Sequence, residues 1–209
     1  MEASYNRIAG QSLHRLAGLS DGLFAVAMTL LVLDLRVPAL ASVHGERDLW
    51  QALVALAPRL MMYLMSFATL GIFWAGQQTQ LNHRARGDRD LAWIHLGFLF
   101  VVSLMPFSTM LIAEFLAYRT ALLLYWGNIL LLGAILYAGW KHAVRAGLVK
   151  PDAPADLACA VERRILVAQG LYAMGAALCV FDTRLSIGMI ILVQANYVLA
   201  PRILRLDRL

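Results

Sequence analysis

Runs of about 20 apolar residues recur along this chain, and their repetition constrains the fold more than any other feature. A helix needs roughly 20 consecutive apolar residues to cross a bilayer. Of the 209 residues, 61% are hydrophobic and only 15% are charged, a more apolar balance than that of a soluble domain. We therefore predict an all-α integral membrane protein, in which residues 1–209 form a single transmembrane domain of six helices.

The boundaries of the six spans are predicted from charged residues and from Pro and Gly at their flanks. The spans lie at about 18–37, 52–76, 91–112, 118–140, 163–181 and 185–204. The second span is the least regular, because Pro58 and Arg59 lie inside it. Its first turns also fit a separate interfacial piece. The polar stretch 141–164 is predicted to be a cytoplasmic loop or a short helix.

The positions of the Lys and Arg residues predict the orientation of the chain in the membrane. An even number of spans places both termini on one side, and thirteen of the eighteen Lys and Arg residues then share that side. Because Lys and Arg concentrate in cytoplasmic loops, we predict a multi-pass protein of the cell (inner) membrane with both termini in the cytoplasm. Topology then accounts for the net charge of +5, so we expect no nucleic acid among the partners.

Sequence patterns of catalysis and metal binding are missing from this chain. It contains no nucleophile–base pair, Walker loop or dinucleotide fingerprint. Cys159 and Cys179 do not have the spacing of a metal site. We therefore expect a protein that is not an enzyme and has neither a cofactor nor a metal site.

The first span carries an apolar stripe along its whole length. At 100° per residue, six of its apolar side chains fall within an arc of about 80°. They are Leu19, Leu23, Val26, Leu30, Leu33 and Val37. Gly18 and Gly22 lie off this stripe, where small residues allow close helix packing. Since acyl chains are as apolar as Leu, the stripe alone fits either ordinary helix packing or a face that copies of the helix turn toward a shared axis.

Polar residues begin the same span and need partners there. A carboxylate near the centre of a span costs about 2.5 kcal/mol or more, and less near an interface. Arg15 lies roughly 240° around the helix from Asp21, so we expect the partner of Asp21 to be a basic residue on another helix or subunit. The alternative is that Asp21 lies at the level of the lipid headgroups, where Arg15 or water neutralises its charge. Ser20 can bond to a neighbouring helix or to its own backbone. Thr29 offers a hydroxyl either to a pore edge or, as is common in membrane helices, to its own backbone.

The string from Arg15 to Asp34 resembles the first helix of the lysosomal potassium channel family (transmembrane protein 175) and its bacterial relatives. The family motif is R-x-x-x-F-S-D followed by G-x-F-A-I-A-x-T-L-L-V-L and an acidic residue. Arg15, Ser20 and Asp21 match in register, and Leu19 replaces the motif Phe. Residues 63–67 with 73–74 resemble the second span of the family, and residues 93–115 resemble the third. Gln77 and Gln78 stand near the place where many relatives carry a histidine pair.

This resemblance implies a cation channel built as a homotetramer of six-helix subunits. Four copies of the first span would line a central pore, without a filter loop of backbone carbonyls. By position in the motif, the pore constriction would be formed by Val26, Leu30 and Leu33, which also lie on the apolar stripe. Leu23 and Thr29 would lie beside the pore, and the motif residues at 15, 20 and 21 would anchor the helix.

The expected function is therefore a potassium-permeable channel of the lipid bilayer. Apolar side chains would form its constriction, and potassium and other monovalent cations would pass through it. Two alternatives stay open at the level of sequence. One is a secondary transporter or proton-coupled permease, which needs midplane ionisable groups and broken helices. The other is a non-conducting membrane scaffold.

Overall fold

All regular structure in the described part of the chain is helical, which confirms the all-α fold class. The computed structural model describes residues 12–39 and 43–199. Within these ranges it has eight α-helices and two short 3₁₀ turns, at Val32–Asp34 and Leu178–Val180. The helices are α1 (Leu13–Leu31), α2 (Glu46–Ala55), α3 (Ala57–Asn82), α4 (Arg89–Ser103), α5 (Met105–Glu114), α6 (Arg119–Arg145), α7 (Leu157–Ala177) and α8 (Thr183–Leu199).

Four helical segments among the described residues are long and apolar enough to cross a membrane, which makes this a multi-pass membrane protein. They are Leu13–Asp34, Ala57–Asn82, Arg89–Glu114 and Arg119–Arg145. α8 is apolar but shorter. α7 contains three charged residues in its first half, at 162–164, which lower its apolar character. The prediction of six spans therefore remains a prediction for α7 and α8, and residues 200–204 of the sixth predicted span lie outside the described residues.

The predicted boundaries of the second span need correction, and the third span contains an interruption. The helix is interrupted at Leu56, so α2 is separate from α3. Pro58 lies in the first turn of α3. Pro is tolerated there because the first backbone N–H groups of a helix have no partner in the helix. α3 also runs six residues beyond the predicted end at 76. The third span is two helices that meet at Leu104, with Pro106 in the first turn of α5.

The polar stretch 141–164 is shorter as a loop than the sequence predicted, because α6 continues to Arg145 and α7 begins at Leu157. Gly147 ends α6 with φ of 63°, and Leu148 N donates back to Ala143 O. A left-handed Gly after a helix gives this reversal without a steric cost. Ala85 N then donates to Leu148 O at 2.8 Å. The α3–α4 and α6–α7 loops therefore lie on the same side of the molecule.

Asp88 strengthens the same end of the bundle. Its carboxylate caps α4 by accepting from Leu91 N at 2.7 Å, and it also lies 2.9 Å from His142 Nε2 on α6. Burial alone would raise the pKa of Asp88, but the hydrogen bonds from Leu91 and His142 outweigh it and lower the pKa below the ordinary value. The ionised form of Asp88 is thus the one that the fold stabilises.

Candidate functional site

α1 packs against the rest of the subunit through one narrow face. Its buried residues are Ser20, Phe24, Ala27 and Leu31, with the 4-3-4 spacing of a single helix face. Phe24 stacks at 6.0 Å from Phe98 of α4, ring centre to ring centre. Only 22% of the most apolar window of α1 is buried, against 39%, 50% and 44% in the other three candidate spans. α1 is therefore the candidate span with the smallest buried share.

The uncovered surface of α1 contains the apolar stripe. The residues expected to form the constriction are exposed in the single subunit, by 56% at Val26, 45% at Leu30 and 69% at Leu33. Leu19 is also exposed, whereas Leu23 is half-buried. The subunit's own helices do not cover this stripe, so its partner is either lipid or another copy of the chain.

Small residues form a flank beside the stripe. A Cβ added at Gly18 or Gly22 would meet no other atom within 4 Å, so the packing of this subunit does not require glycine at either place. Ala25 follows on the same flank and is exposed. Ser103 of α4 closes the shallow groove that runs along these glycines. Small side chains at uncovered positions permit a second helix to approach closely.

Ser20 ties α1 to two other helices. Its side chain is fully buried, and its hydroxyl oxygen accepts from Gln77 Nε2 of α3 at 2.7 Å. The same oxygen lies 2.7 Å from His95 Nε2 of α4 and 3.0 Å from Leu16 O. A serine hydroxyl has one proton, so when it donates to Leu16 O, His95 has to donate from Nε2. The position of α1 is thus set by a three-helix hydrogen-bond cluster of Ser20, Gln77 and His95.

Asp21 also bonds to another helix, but its partners differ from those predicted. Its Oδ1 accepts from Trp74 Nε1 at 2.8 Å and from Gln78 Nε2 at 2.7 Å, both on α3. No described residue of the subunit forms an ion pair with Asp21, and Arg15 is exposed. The expectation of a basic partner is therefore wrong within one subunit, where two neutral N–H donors satisfy the carboxylate.

The donors on α3 were missed as anchors of α1. Trp74, Gln77 and Gln78 have spacings of three and four residues, which place them on one face of α3. That spacing is a signal that sequence reasoning can use. His95 is an interior residue of α4 with 6% exposure, and its ring bonds to Ser20.

The remaining polar residues of the predicted site also have local partners. Thr29 Oγ1 donates to Val26 O of its own helix at 2.9 Å, which is the backbone alternative. Glu114 at the end of α5 pairs with Arg59 at the start of α3. Asp34 lies in the 3₁₀ turn after α1 and is partly exposed.

A buried cation, Arg84, follows the C-terminal end of α3, beyond the Ser20 cluster. Arg84 is 5% exposed and donates from Nη2 to Gln80 Oε1 at 2.9 Å. Burial lowers the pKa of Arg84 to about 10, so the guanidinium stays charged at neutral pH. Gln77 Oε1 and Arg84 Nε line the same small cavity, and neither has a hydrogen-bond partner in the described part of the chain. Gln80 Nε2 also donates to Leu136 O of α6 at 3.3 Å, so this column of polar groups joins the end of α3 to α6.

No group of three or more His, Cys, Asp or Glu side chains with metal-binding geometry occurs among residues 12–39 and 43–199. The candidate site is therefore a helix face with polar anchors behind it, and its chemistry is that of apolar side chains and hydrogen bonds.

Comparison with known proteins assigns the chain to a family. The sequence profile described as "Endosomal/lysosomal potassium channel TMEM175" matches residues 15–106. A protein of Streptomyces collinus named a potassium channel is 37% identical over 148 residues, which are 68% of this chain and 70% of that protein. A second protein named a potassium channel, from Chamaesiphon minutus, is 32% identical over 179 residues, covering 84% of this chain and 88% of its own length.

A solved structure extends the comparison to three dimensions. The crystal structure titled as a lysosomal potassium-selective channel TMEM175 homolog from Chamaesiphon minutus superimposes with a TM-score of 0.78. The superposition covers 90% of this chain and 97% of that one, at 29% sequence identity. The chain therefore belongs to the TMEM175 family, which is a family of channels and not of enzymes.

Proposed function

We propose that this protein is a potassium-permeable cation channel in which four subunits place four copies of α1 around one central pore. The observation that carries the proposal is the uncovered apolar stripe on a helix whose opposite face is fixed by buried hydrogen bonds. The names of the Streptomyces and Chamaesiphon relatives support potassium as the permeant ion. Potassium is the transported species here and not a resident cofactor.

The small-residue flank and Asp21 support an assembly rather than a lone subunit. Asp21 is exposed in the single subunit, although two N–H groups bond to it. A carboxylate that faces acyl chains is costly, so protein or water should cover it. Gly18, Gly22 and Ala25 lie between Asp21 and the stripe on the helix circumference. A neighbouring subunit packed on this flank would cover the carboxylate and turn the stripe toward the axis.

The proposed constriction consists of three successive apolar rings. Val26, Leu30 and Leu33 are spaced by four and three residues, so their rings span about 10 Å along the pore. Such a constriction closes by dewetting, because an ion that enters has to shed its hydration shell without receiving other ligands. Leu and Val provide no coordinating oxygen. Preference for potassium would then come from partial dehydration at the rings and not from a carbonyl filter.

The Ser20 and Asp21 anchors give the pore helix its rotational setting. Successive residues of a helix differ by 100° in direction, so a small rotation of α1 changes which side chains face the axis. Bonds from Ser20 to α3 and α4, and from Asp21 to α3, oppose that rotation. Opening would require a tilt or rotation of α1 that these bonds either follow or release.

The proposed location is the cell (inner) membrane. In the proposed orientation both termini lie in the cytoplasm. The hydrogen bond from Ala85 N to Leu148 O supports the assignment of the basic 84–89 and 141–150 segments to one side. Lys and Arg residues mark that side as cytoplasmic.

Single-channel recording tests the proposal. The purified protein in a planar bilayer should give unitary currents whose reversal potential follows the potassium gradient, and native mass spectrometry should give a tetramer. Saturable, coupled uptake of a solute without unitary current would identify a transporter instead. The absence of both current and uptake would indicate a non-conducting scaffold and would contradict the proposal.

A further inference from the structure

A second cavity lies away from the pore helix, between α3, α6, α7 and α8. Its volume is about 130 Å³, and it is open on one side. Its lining is largely apolar and includes Ile72, Gly76, Leu136, Ile165 and Ala168. A dry cavity of about 150 Å³ in another protein admits a benzene ring, so this one has room for a short stretch of an alkyl chain.

Two buried polar groups on the cavity wall have no partner. The side chain of Tyr172 is 1% exposed, and neither its hydroxyl nor Gln169 Oε1 has a hydrogen bond with any described residue. Buried polar groups are nearly always paired, and leaving one unpaired costs roughly 1–3 kcal/mol. Both atoms are enclosed by the wall, so a ligand with polar atoms next to an apolar part would satisfy them after a shift of these two side chains.

An unneutralised cation lies at the cavity as well. Arg164 is exposed, and its guanidinium carbon lies 5.9 Å from the ring centre of Tyr197. The neighbouring carboxylate of Glu162 forms an ion pair with Lys141, with 2.8 Å between Glu162 Oε2 and Lys141 Nζ. No acidic side chain lines the cavity, and Arg164 forms no ion pair within residues 12–39 and 43–199. An anionic group at Arg164 would therefore meet no competing negative charge.

We propose that this cavity binds one anionic phospholipid of the surrounding bilayer, with its phosphate on Arg164 and part of one acyl chain against the apolar lining. Arg164 is the last residue of the charged group 162–164 in α7, and the apolar part of the helix begins directly after it, a position that fits the depth of lipid headgroups. Basic pockets between membrane helices on the cytoplasmic side recognise such headgroups. This inference goes beyond the proposed channel function and does not depend on it.

The proposed lipid would contact the helix that anchors α1. Gly76 of α3 lines the cavity, whereas Trp74 and Gln78 of the same helix bond to Asp21. Only the thickness of α3 separates the lipid site from the pore-helix anchor.

Native mass spectrometry of the full-length protein tests the site, with phosphatidylglycerol and phosphatidylcholine of identical acyl chains as the probes. Arg164→Gln should weaken phosphatidylglycerol binding roughly tenfold, because it removes a charge-assisted contact. Arg163→Gln is the matched control, since Arg163 is adjacent and exposed but does not line the cavity. It should change binding less than twofold. Arg164→Lys should retain most of the binding because it keeps the charge.

Further arms keep the proposal falsifiable if Arg164→Gln does not fold. Ala168→Leu fills the cavity while it leaves Arg164 in place, and it should also weaken phosphatidylglycerol binding. Millimolar inorganic phosphate should not displace the lipid. Equal loss in the two Arg→Gln variants would overturn the proposal in favour of diffuse surface charge. Equal binding of both lipids, unchanged binding in Ala168→Leu, or displacement by inorganic phosphate would each overturn it too.

Discussion

Removing the Ser20 hydroxyl should destabilise the subunit by a predictable amount. Ser20→Ala leaves the Gln77 amide and the His95 ring nitrogen without the oxygen that each meets at 2.7 Å. Buried polar groups left unpaired cost about 1–3 kcal/mol each in soluble proteins, whereas interhelical bonds in membranes average about 0.6 kcal/mol. Gln77 Nε2 lies 3.4 Å from His95 Nε2 and the two can partly re-pair. We therefore expect a loss of about 1–2 kcal/mol.

Thermal unfolding of the purified protein in detergent measures this loss. A change of 1 kcal/mol shifts the Tm of a chain of 150–250 residues by about 2–4 °C, so Ser20→Ala should lower the Tm by about 2–8 °C. Ser103→Ala is the matched control, because the Ser103 hydroxyl is exposed and bonds only to Phe100 O of its own helix. Its Tm should stay within about 1 °C of the wild type, since such surface changes stay within about 0.5 kcal/mol. Equal Tm values for the two variants would refute the anchoring role of Ser20.

Three further predictions follow from the same contacts. Leu30→Ala should raise the resting potassium leak of liposomes that contain the protein, whereas Leu192→Ala, which truncates an exposed leucine on α8, should not; equal leak in both would reject the apolar gate. Asp21→Ala leaves the Trp74 and Gln78 donors unpaired and should weaken tetramer formation or abolish current, and an intact tetramer with normal current would argue against that. The lowered pKa of Asp88 means that its contribution to stability is complete above the unfolded value of 3.8 and is lost as the pH falls through the folded value. Asp88→Asn should therefore flatten the dependence of Tm on pH between about pH 5 and pH 2; an unchanged dependence would contradict this reasoning.

The sequence was most informative where one helix carries a periodic pattern. Leu19, Val26, Leu30 and Leu33 share an arc on a helical wheel, and the structure leaves these side chains exposed together. The helical class and the membrane character follow from local composition, which each stretch of sequence contains in full. Whether the exposed stripe meets a pore, lipid or another helix depends on other copies of the chain, so the pattern within one subunit does not decide it.

The partners of Asp21 and Ser20 were harder to predict from the sequence. The sequence shows that a carboxylate within a membrane span needs a donor, but Trp74 and Gln78 are more than 50 residues away and are chosen by tertiary packing. Gln77 and Gln78 suggest the end of a membrane span by polarity, yet α3 continues to Asn82, and the Nε2 groups of both residues donate to α1. Hydropathy alone does not distinguish a polar residue in water from one that is paired inside a bundle.

The central claim is that four copies of α1 meet at one axis with their apolar stripe turned inward. A cryo-electron microscopy map of the purified protein in lipid nanodiscs tests it directly. We predict fourfold symmetry and a central conduit narrowed by the side chains of Val26, Leu30 and Leu33. A map in which this stripe faces the lipid, or in which no central conduit exists, would contradict the account.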